Sequence, residues 1–109
     1  MINLLKFNKK YYSDIVSGVK NQTIRKHNKK FRDGEIVKAI FPGTDKGCLL
    51  KITGTGYKQF KYIDDEDAKL EGYKTVTELK SELLDIYPLL DAMTRIYYIR
   101  FMVVDENAG

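Results

Sequence analysis

Residues 95–104 hold Ile96, Tyr97, Tyr98, Ile99, Phe101, Met102, Val103 and Val104, eight apolar or aromatic side chains in ten positions. A run this rich in β-branched and aromatic residues reads as a strand that closes a sheet. The rest of the chain must then supply that sheet's other strands. Residues 2–7 are apolar-rich and suit a first strand. Residues 21–25 are short, contain the β-branched pair Thr23 and Ile24, and read as a strand entering a basic loop. If that strand is regular, Thr23 and Arg25 point to one face and Gln22 and Ile24 to the other. Asp33-Gly34 marks a turn into residues 35–41, where Ile36, Val37, Ala39, Ile40 and Phe41 look largely buried. The composition of Pro42-Gly43-Thr44-Asp45-Lys46-Gly47 is that of a turn. Residues 48–57 resume an extended pattern in which Gly54 and Gly56 point to a bend or bulge.

Three helical segments interrupt these strands. Tyr11, Tyr12, Ile15 and Val16 recur at helical spacing through residues 8–17, with Asn8 as the cap and Gly18 as the stop. Lys20 falls at the turn that follows. Asp64-Asp65-Glu66-Asp67 suits the positive N-terminal end of a short helix that ends near Glu71 and Gly72. Thr75-Val76-Thr77-Glu78 has capping-box spacing and starts a helix through about Tyr87, with Pro88 beyond it. The expected architecture is α+β, one curled sheet or small barrel with flanking helices. A chain of 109 residues is long enough for one modest core and too short for two ordinary domains. Residues 1–105 read as a single domain and 106–109 as a frayed polar end.

Several classes of function recede on composition. No uninterrupted apolar run approaches the roughly 20 residues that span a bilayer, and no secretory leader pattern opens the chain, so a cytoplasmic protein without a membrane partner is expected. Cys48 is the single cysteine. It cannot form an internal disulfide, and it reads as a small packing residue. Neither it nor His27 has the companions of a zinc pattern, and the acidic cluster at 64–67 lacks the alternation of an EF-hand loop. A protein metal site is not expected. Charge is uneven: residues 1–40 hold ten Lys/Arg against three Asp/Glu, and residues 41–109 hold nine against twelve. The basic excess peaks in Arg25-Lys26-His27-Asn28-Lys29-Lys30-Phe31-Arg32. That stretch suits phosphate contacts with a nucleotide or RNA, or equally a solvated loop.

The chain resembles the ASCH domains, small β-barrels of the PUA-like superfamily associated with RNA. The resemblance extends over most of the sequence. It is carried by Tyr12-Ser13-Asp14-Ile15-Val16-Ser17-Gly18-Val19-Lys20, Gln22-Thr23-Ile24-Arg25, Phe31-Arg32-Asp33-Gly34-Glu35, Thr77-Glu78-Leu79-Lys80, Asp85-Ile86-Tyr87-Pro88 and the terminal β-rich run. Within that family it is most similar to the small bacterial N4-acetylcytidine amidohydrolases. Many ASCH domains have a glutamate where Thr23 stands, which separates the amidohydrolase pattern from the broader family.

The resemblance implies that Lys20, Thr23 and Glu71 are catalytic. Lys20 would accept the Thr23 hydroxyl proton, Thr23 would attack the acetyl carbonyl, and Glu71 would protonate the departing cytidine. The substrate would be an acylated cytidine, free or within RNA, and the resemblance implies chemistry with no metal or organic cofactor. Arg25 and Lys26 are candidate binding residues, backbone amides or Arg25 would stabilise the tetrahedral oxyanion, and Tyr57, Phe60, Tyr62 and Tyr73 are candidate stacking surfaces. By residue type alone, Lys20 is a surface cation, Thr23 an ordinary strand residue and Glu71 a solvent-facing carboxylate. Three further functions stay open at this level: a non-catalytic RNA-binding module, an ASCH-type ribonuclease and a small interaction protein.

Overall fold

Five strands form one mixed sheet in the computed structural model, which describes residues 2–105: β1 (Leu4–Lys6), β2 (Gln22–Arg25), β3 (Ile36–Ile40), β4 (Gly47–Gln59) and β5 (Arg95–Asp105). Their spatial order is β1-β3-β4-β5-β2. β1 runs parallel to β3, and the other neighbours are antiparallel. The expected frayed end at 106–109 lies outside the described residues.

β5 is apolar along nearly its whole length because it feeds a core on each face of the sheet. Ile96 joins Ile24, Leu79 and Leu83 in a cluster under the helices. Ile99 and Phe101, on the opposite face of the strand, join Leu5, Phe7, Val37, Leu50 and the buried Cys48. β4 accompanies β5 with register shifts at Leu49/Leu50 and Ile52/Gly54. The second shift falls beside the glycine expected to mark a bulge, and such an extra residue bends the strand.

The first helical segment is shorter than its periodicity predicts. A 3₁₀ turn, Lys9–Tyr11, runs into α1 (Tyr12–Val16). Asn8 starts the turn, its Oδ1 accepting from the Lys10 N–H at 3.0 Å, and the tighter winding is common at helix ends. Gly18 follows with φ +82°, the left-handed conformation predicted for a stop. α2 (Asp65–Glu71) opens on a full capping box between Asp64 and Asp67 and closes on Gly72 at φ +88°. In α3 (Val76–Ile86), the Thr75 hydroxyl accepts from the Glu78 N–H at 3.1 Å.

The loop after α1 is tied to the end of α2. The Lys20 N–H donates to the Asp14 carbonyl at 2.9 Å and the Asn21 N–H to the Leu70 carbonyl at 2.6 Å. A side chain at position 72 would crowd Val19, so glycine there permits both the left-handed turn and the close approach of this loop. These contacts bring Lys20 to Glu71 across 51 residues of sequence.

Candidate active site

β1 and β2 are the two edges of the sheet, yet both border one cavity of about 240 Å³. Lys6 and Phe7 stand on one side, Thr23, Ile24 and Arg25 on the other, with Lys20, Glu71 and Tyr73 between them and Leu79, Glu82, Leu83 and Tyr87 as a helical wall.

Lys20 is 4 % exposed and Glu71 6 %. Lys20 Nζ donates to Glu71 Oε1 at 2.8 Å and lies 4.9 Å from the centre of the Tyr11 ring. Glu71 sits in the last turn of α2, where a carboxylate meets the negative end of the helix. Burial pushes its proton affinity above the usual carboxylate range; Lys20 pulls the other way, with a smaller contribution from Gln22, and Asp67 adds to the rise. The second carboxylate oxygen, Oε2, is buried without a hydrogen bond. This carboxyl group is therefore poised to hold a proton within a contact that also stabilises its charged form.

Thr23 lies opposite Ile99 on β5 and is nearly buried. Its hydroxyl oxygen accepts from Arg25 Nε at 3.0 Å, as the shared face predicted from strand alternation requires. Arg25 Nη2 donates to the Lys6 carbonyl at 2.6 Å, and its guanidinium carbon lies 5.1 Å from the centre of the Phe7 ring. Desolvation draws the Arg25 proton affinity down, against the opposing influence of Tyr87, Glu71 and Tyr11. A guanidinium hydrogen-bonded to a hydroxyl oxygen favours the alkoxide over the alcohol, while leaving the hydroxyl proton available to a base.

At the rim, Glu82 accepts from Lys10 Nζ at 2.7 Å and from the Tyr11 hydroxyl at 2.8 Å. These two hydrogen bonds, the Lys10 one foremost, hold the Glu82 carboxyl below its ordinary range. Burial raises the Tyr11 and Tyr73 phenols, so both stay neutral at physiological pH. They present a proton donor and an aromatic face to the cavity.

Lys20, Thr23, Arg25, Glu71 and Tyr73 thus border one space. Other residues expected at the site lie outside that lining. Lys26 is exposed in the loop after β2, Phe60 is buried in the helical-side core, and Tyr62 is largely exposed. Tyr57 is 63 % exposed on β4, beneath the Arg95 guanidinium at 4.5 Å. It borders a separate cleft of about 160 Å³ with Lys29, Lys30 and Tyr97. The sequence reading missed Lys10, Tyr11 and Glu82 as cavity groups. One signal was present for Glu82: it shares the helical stripe of Leu79, Leu83 and Ile86, where a carboxylate interrupts an apolar face. Among the described residues, no group of three or more His, Cys, Asp or Glu side chains is placed to hold a metal ion. No helix among them is long and apolar enough to cross a membrane.

No protein-family model matches the sequence. The fold does match solved structures. An ASCH domain from Lactobacillus crispatus superposes with a TM-score of 0.79 at 13 % identity, covering 94 % of this chain and 80 % of that one. An ASCH protein from Zymomonas mobilis gives 0.67 at 10 % identity, covering 94 % and 66 %. The class defined by this sheet and its flanking helices is the ASCH domain.

Sequence similarity narrows the class. The N(4)-acetylcytidine amidohydrolase of Escherichia coli O127:H6 is 31 % identical over 101 residues, which is 91 % of this chain and 94 % of the relative. The same enzyme of strain K12 is 30 % identical over the same length and shares. This chain belongs to the N(4)-acetylcytidine amidohydrolase family.

Proposed function

We propose that this protein hydrolyses the N4-acyl amide of an acylated cytidine to cytidine and a carboxylate, acetate in the simplest case. The observation that carries this reading is the buried Lys20–Glu71 hydrogen bond of 2.8 Å in the cavity that Thr23 also borders. A proton held by Glu71 rather than Lys20 leaves a neutral amine and a neutral acid in contact. In that state Lys20 takes the Thr23 hydroxyl proton as the oxygen bonds to the acyl carbon, with Arg25 Nε stabilising the developing negative charge on oxygen. Collapse of the tetrahedral adduct breaks the bond from carbon to N4, and Glu71 gives its proton to the leaving nitrogen. The products of this half-reaction are an acyl ester on Thr23, a Lys20 ammonium and a Glu71 carboxylate. Water then attacks the ester and yields one proton to Glu71, while Lys20 returns one to the Thr23 oxygen. The starting state is restored without external co-reactants. Tyr73 and Tyr11 supply the faces and hydroxyls against which a pyrimidine is held.

The test is release of acetate and cytidine from N4-acetylcytidine by the purified protein, beside Lys20→Ala, Thr23→Ala and Glu71→Gln. Turnover by the wild type that disappears in folded variants supports the reading. A folded wild-type protein without turnover overturns it.

A second reading, RNA binding, has its own observation. Arg25 faces Tyr97 across β2–β5, and Tyr97 faces Tyr57 across β5–β4. Directly opposed residues share a sheet face, so the row leads from the cavity to the cleft flanked by Lys29 and Lys30. The exposed Lys26 lies in the same loop. Aromatic side chains interleaved with cations suit a single strand. Salt-sensitive binding of an RNA oligonucleotide that weakens in Tyr57→Ala and survives Thr23→Ala supports this reading; equal affinity in wild type and Tyr57→Ala counts against it.

A further inference from the structure

Lys20, Thr23, Arg25 and Glu71 account for the proposed chemistry, and they leave one buried charge without a role. Asp67 has no solvent exposure. Its Oδ2 accepts from Lys58 Nζ at 2.7 Å and from the Asp64 N–H at 3.1 Å. Its Oδ1 accepts from Gln22 Nε2 at 3.1 Å and lies 3.9 Å from Arg100 Nη2. Gln22 is equally buried, and its Oε1 accepts from Arg100 Nε at 2.8 Å. The amide is held at both ends, its carbonyl by a cation and its NH₂ group by an anion. Closing a helix cap requires only the Asp64–Asp67 contacts, so enclosure of this carboxylate by two cations and an amide exceeds what α2 needs to start.

Position gives the network its meaning. Asp67 and Glu71 are four residues apart on α2 and therefore share a face, one turn from each other. Gln22 stands between Lys20 and Thr23 in the chain. We infer that Asp67 is a positioning residue for the site: through Gln22 it fixes β2 against α2, and its charge, balanced by Lys58 and Arg100, sets the field in which the Lys20–Glu71 pair holds its proton. The mechanistic part of this inference rests on the proposed amide hydrolysis; the control of Glu71 does not.

Other groups act on Glu71 from every side. Lys20 faces it from the loop after α1, Gln22 and Arg25 from β2, and Tyr73 from just beyond α2, while Tyr11 and Glu82 border the same cavity. Among them Asp67 is an anion whose influence favours the protonated Glu71. Burial alone would raise the Asp67 proton affinity, but the hydrogen bonds from Lys58, Asp64 and Gln22 hold it below the usual range, so it stays charged.

The test is the pH titration of the Glu71 side-chain carboxyl by ¹³C NMR in the wild type, Asp67→Asn and Lys58→Met, with pH–rate profiles for N4-acetylcytidine alongside. Removing the anion is expected to lower the Glu71 midpoint. Removing the cation is expected to raise it. The rate-profile limb that reports the Glu71 carboxyl should move with its midpoint. Opposite shifts are a signature that a merely structural role does not produce. Unchanged midpoints in folded variants overturn the inference, and if Asp67→Asn does not fold, the direction in Lys58→Met decides it alone. Shifted midpoints without wild-type acetate release leave the control of Glu71 standing and remove the proposed hydrolysis instead.

Discussion

Lys20 Nζ and Glu71 Oε1 lie 2.8 Å apart with their side chains 5 % and 4 % exposed, an ion-pair geometry withdrawn almost wholly from water. Removing one partner of such a pair strands the other in a medium that solvates charge poorly. Glu71→Ala is expected to cost about 3–5 kcal/mol of folding stability, and Lys20→Met combined with Glu71→Leu to recover most of it. Glu71→Gln should cost less than Glu71→Ala, since its amide carbonyl still accepts from Lys20. Urea denaturation of the three variants beside the wild type checks the order.

Arg25 divides its donors between the Thr23 hydroxyl and the Lys6 carbonyl. A lysine ammonium keeps the charge but not the fixed fork. Arg25→Lys is expected to lower kcat on N4-acetylcytidine by about 100-fold with folding retained. Steady-state kinetics together with a melting curve test this, and an unchanged kcat would remove Arg25 from the proposed chemistry.

Glu82 titrates below its ordinary value of 4.5, chiefly because Lys10 and Tyr11 hydrogen-bond its charged form. A carboxyl group whose folded proton affinity is depressed stabilises the fold above the unfolded value and loses that contribution as pH falls through the folded one. Stability should therefore drop below pH 4.5 in the wild type and drop less steeply in Glu82→Gln. Glu71 has the opposite sign: its raised affinity makes it a falling contribution as pH rises from the unfolded value through the folded one. Thermal melts between acid and neutral pH separate the two.

Gly56 pairs with Tyr98 across β4–β5, and a methyl group at position 56 would run into the Tyr98 ring. Gly56→Ala is expected to destabilise by about 1–3 kcal/mol. A Tyr98→Val background should remove much of that penalty, because the two positions are in contact. A double-mutant cycle measured by denaturation gives the coupling.

Much of this arrangement is legible in residue order. The strands show in apolar runs, in β-branched and aromatic content and in the turns that bound them, and the left-handed glycines at 18 and 72 are signalled by the ends of apolar periodicity. Thr23 and Arg25 share a face because strand side chains alternate, which needs no tertiary information. Burial of polar groups is different. Lys20, Glu71, Gln22 and Asp67 are polar residues whose types argue for solvent, and only pairing with one another makes their burial tolerable. Partners separated by 51 positions, as Lys20 and Glu71 are, or by 45, as Gln22 and Asp67 are, leave no local pattern. The resemblance marked Lys20 and Glu71 where periodicity could not, and nothing marked Gln22 with Asp67.

A sheet with two free edges ordinarily offers its unpaired backbone groups to other chains. Here those edges are β1 and β2, three and four residues long, and Arg25 reaches from one to the Lys6 carbonyl of the other. The gap in the curled sheet is thus a short, charged seam with a cavity behind it. The closure that assembles the candidate site also denies a foreign strand its template, so a change that opens the seam should promote aggregation as well as disable the site.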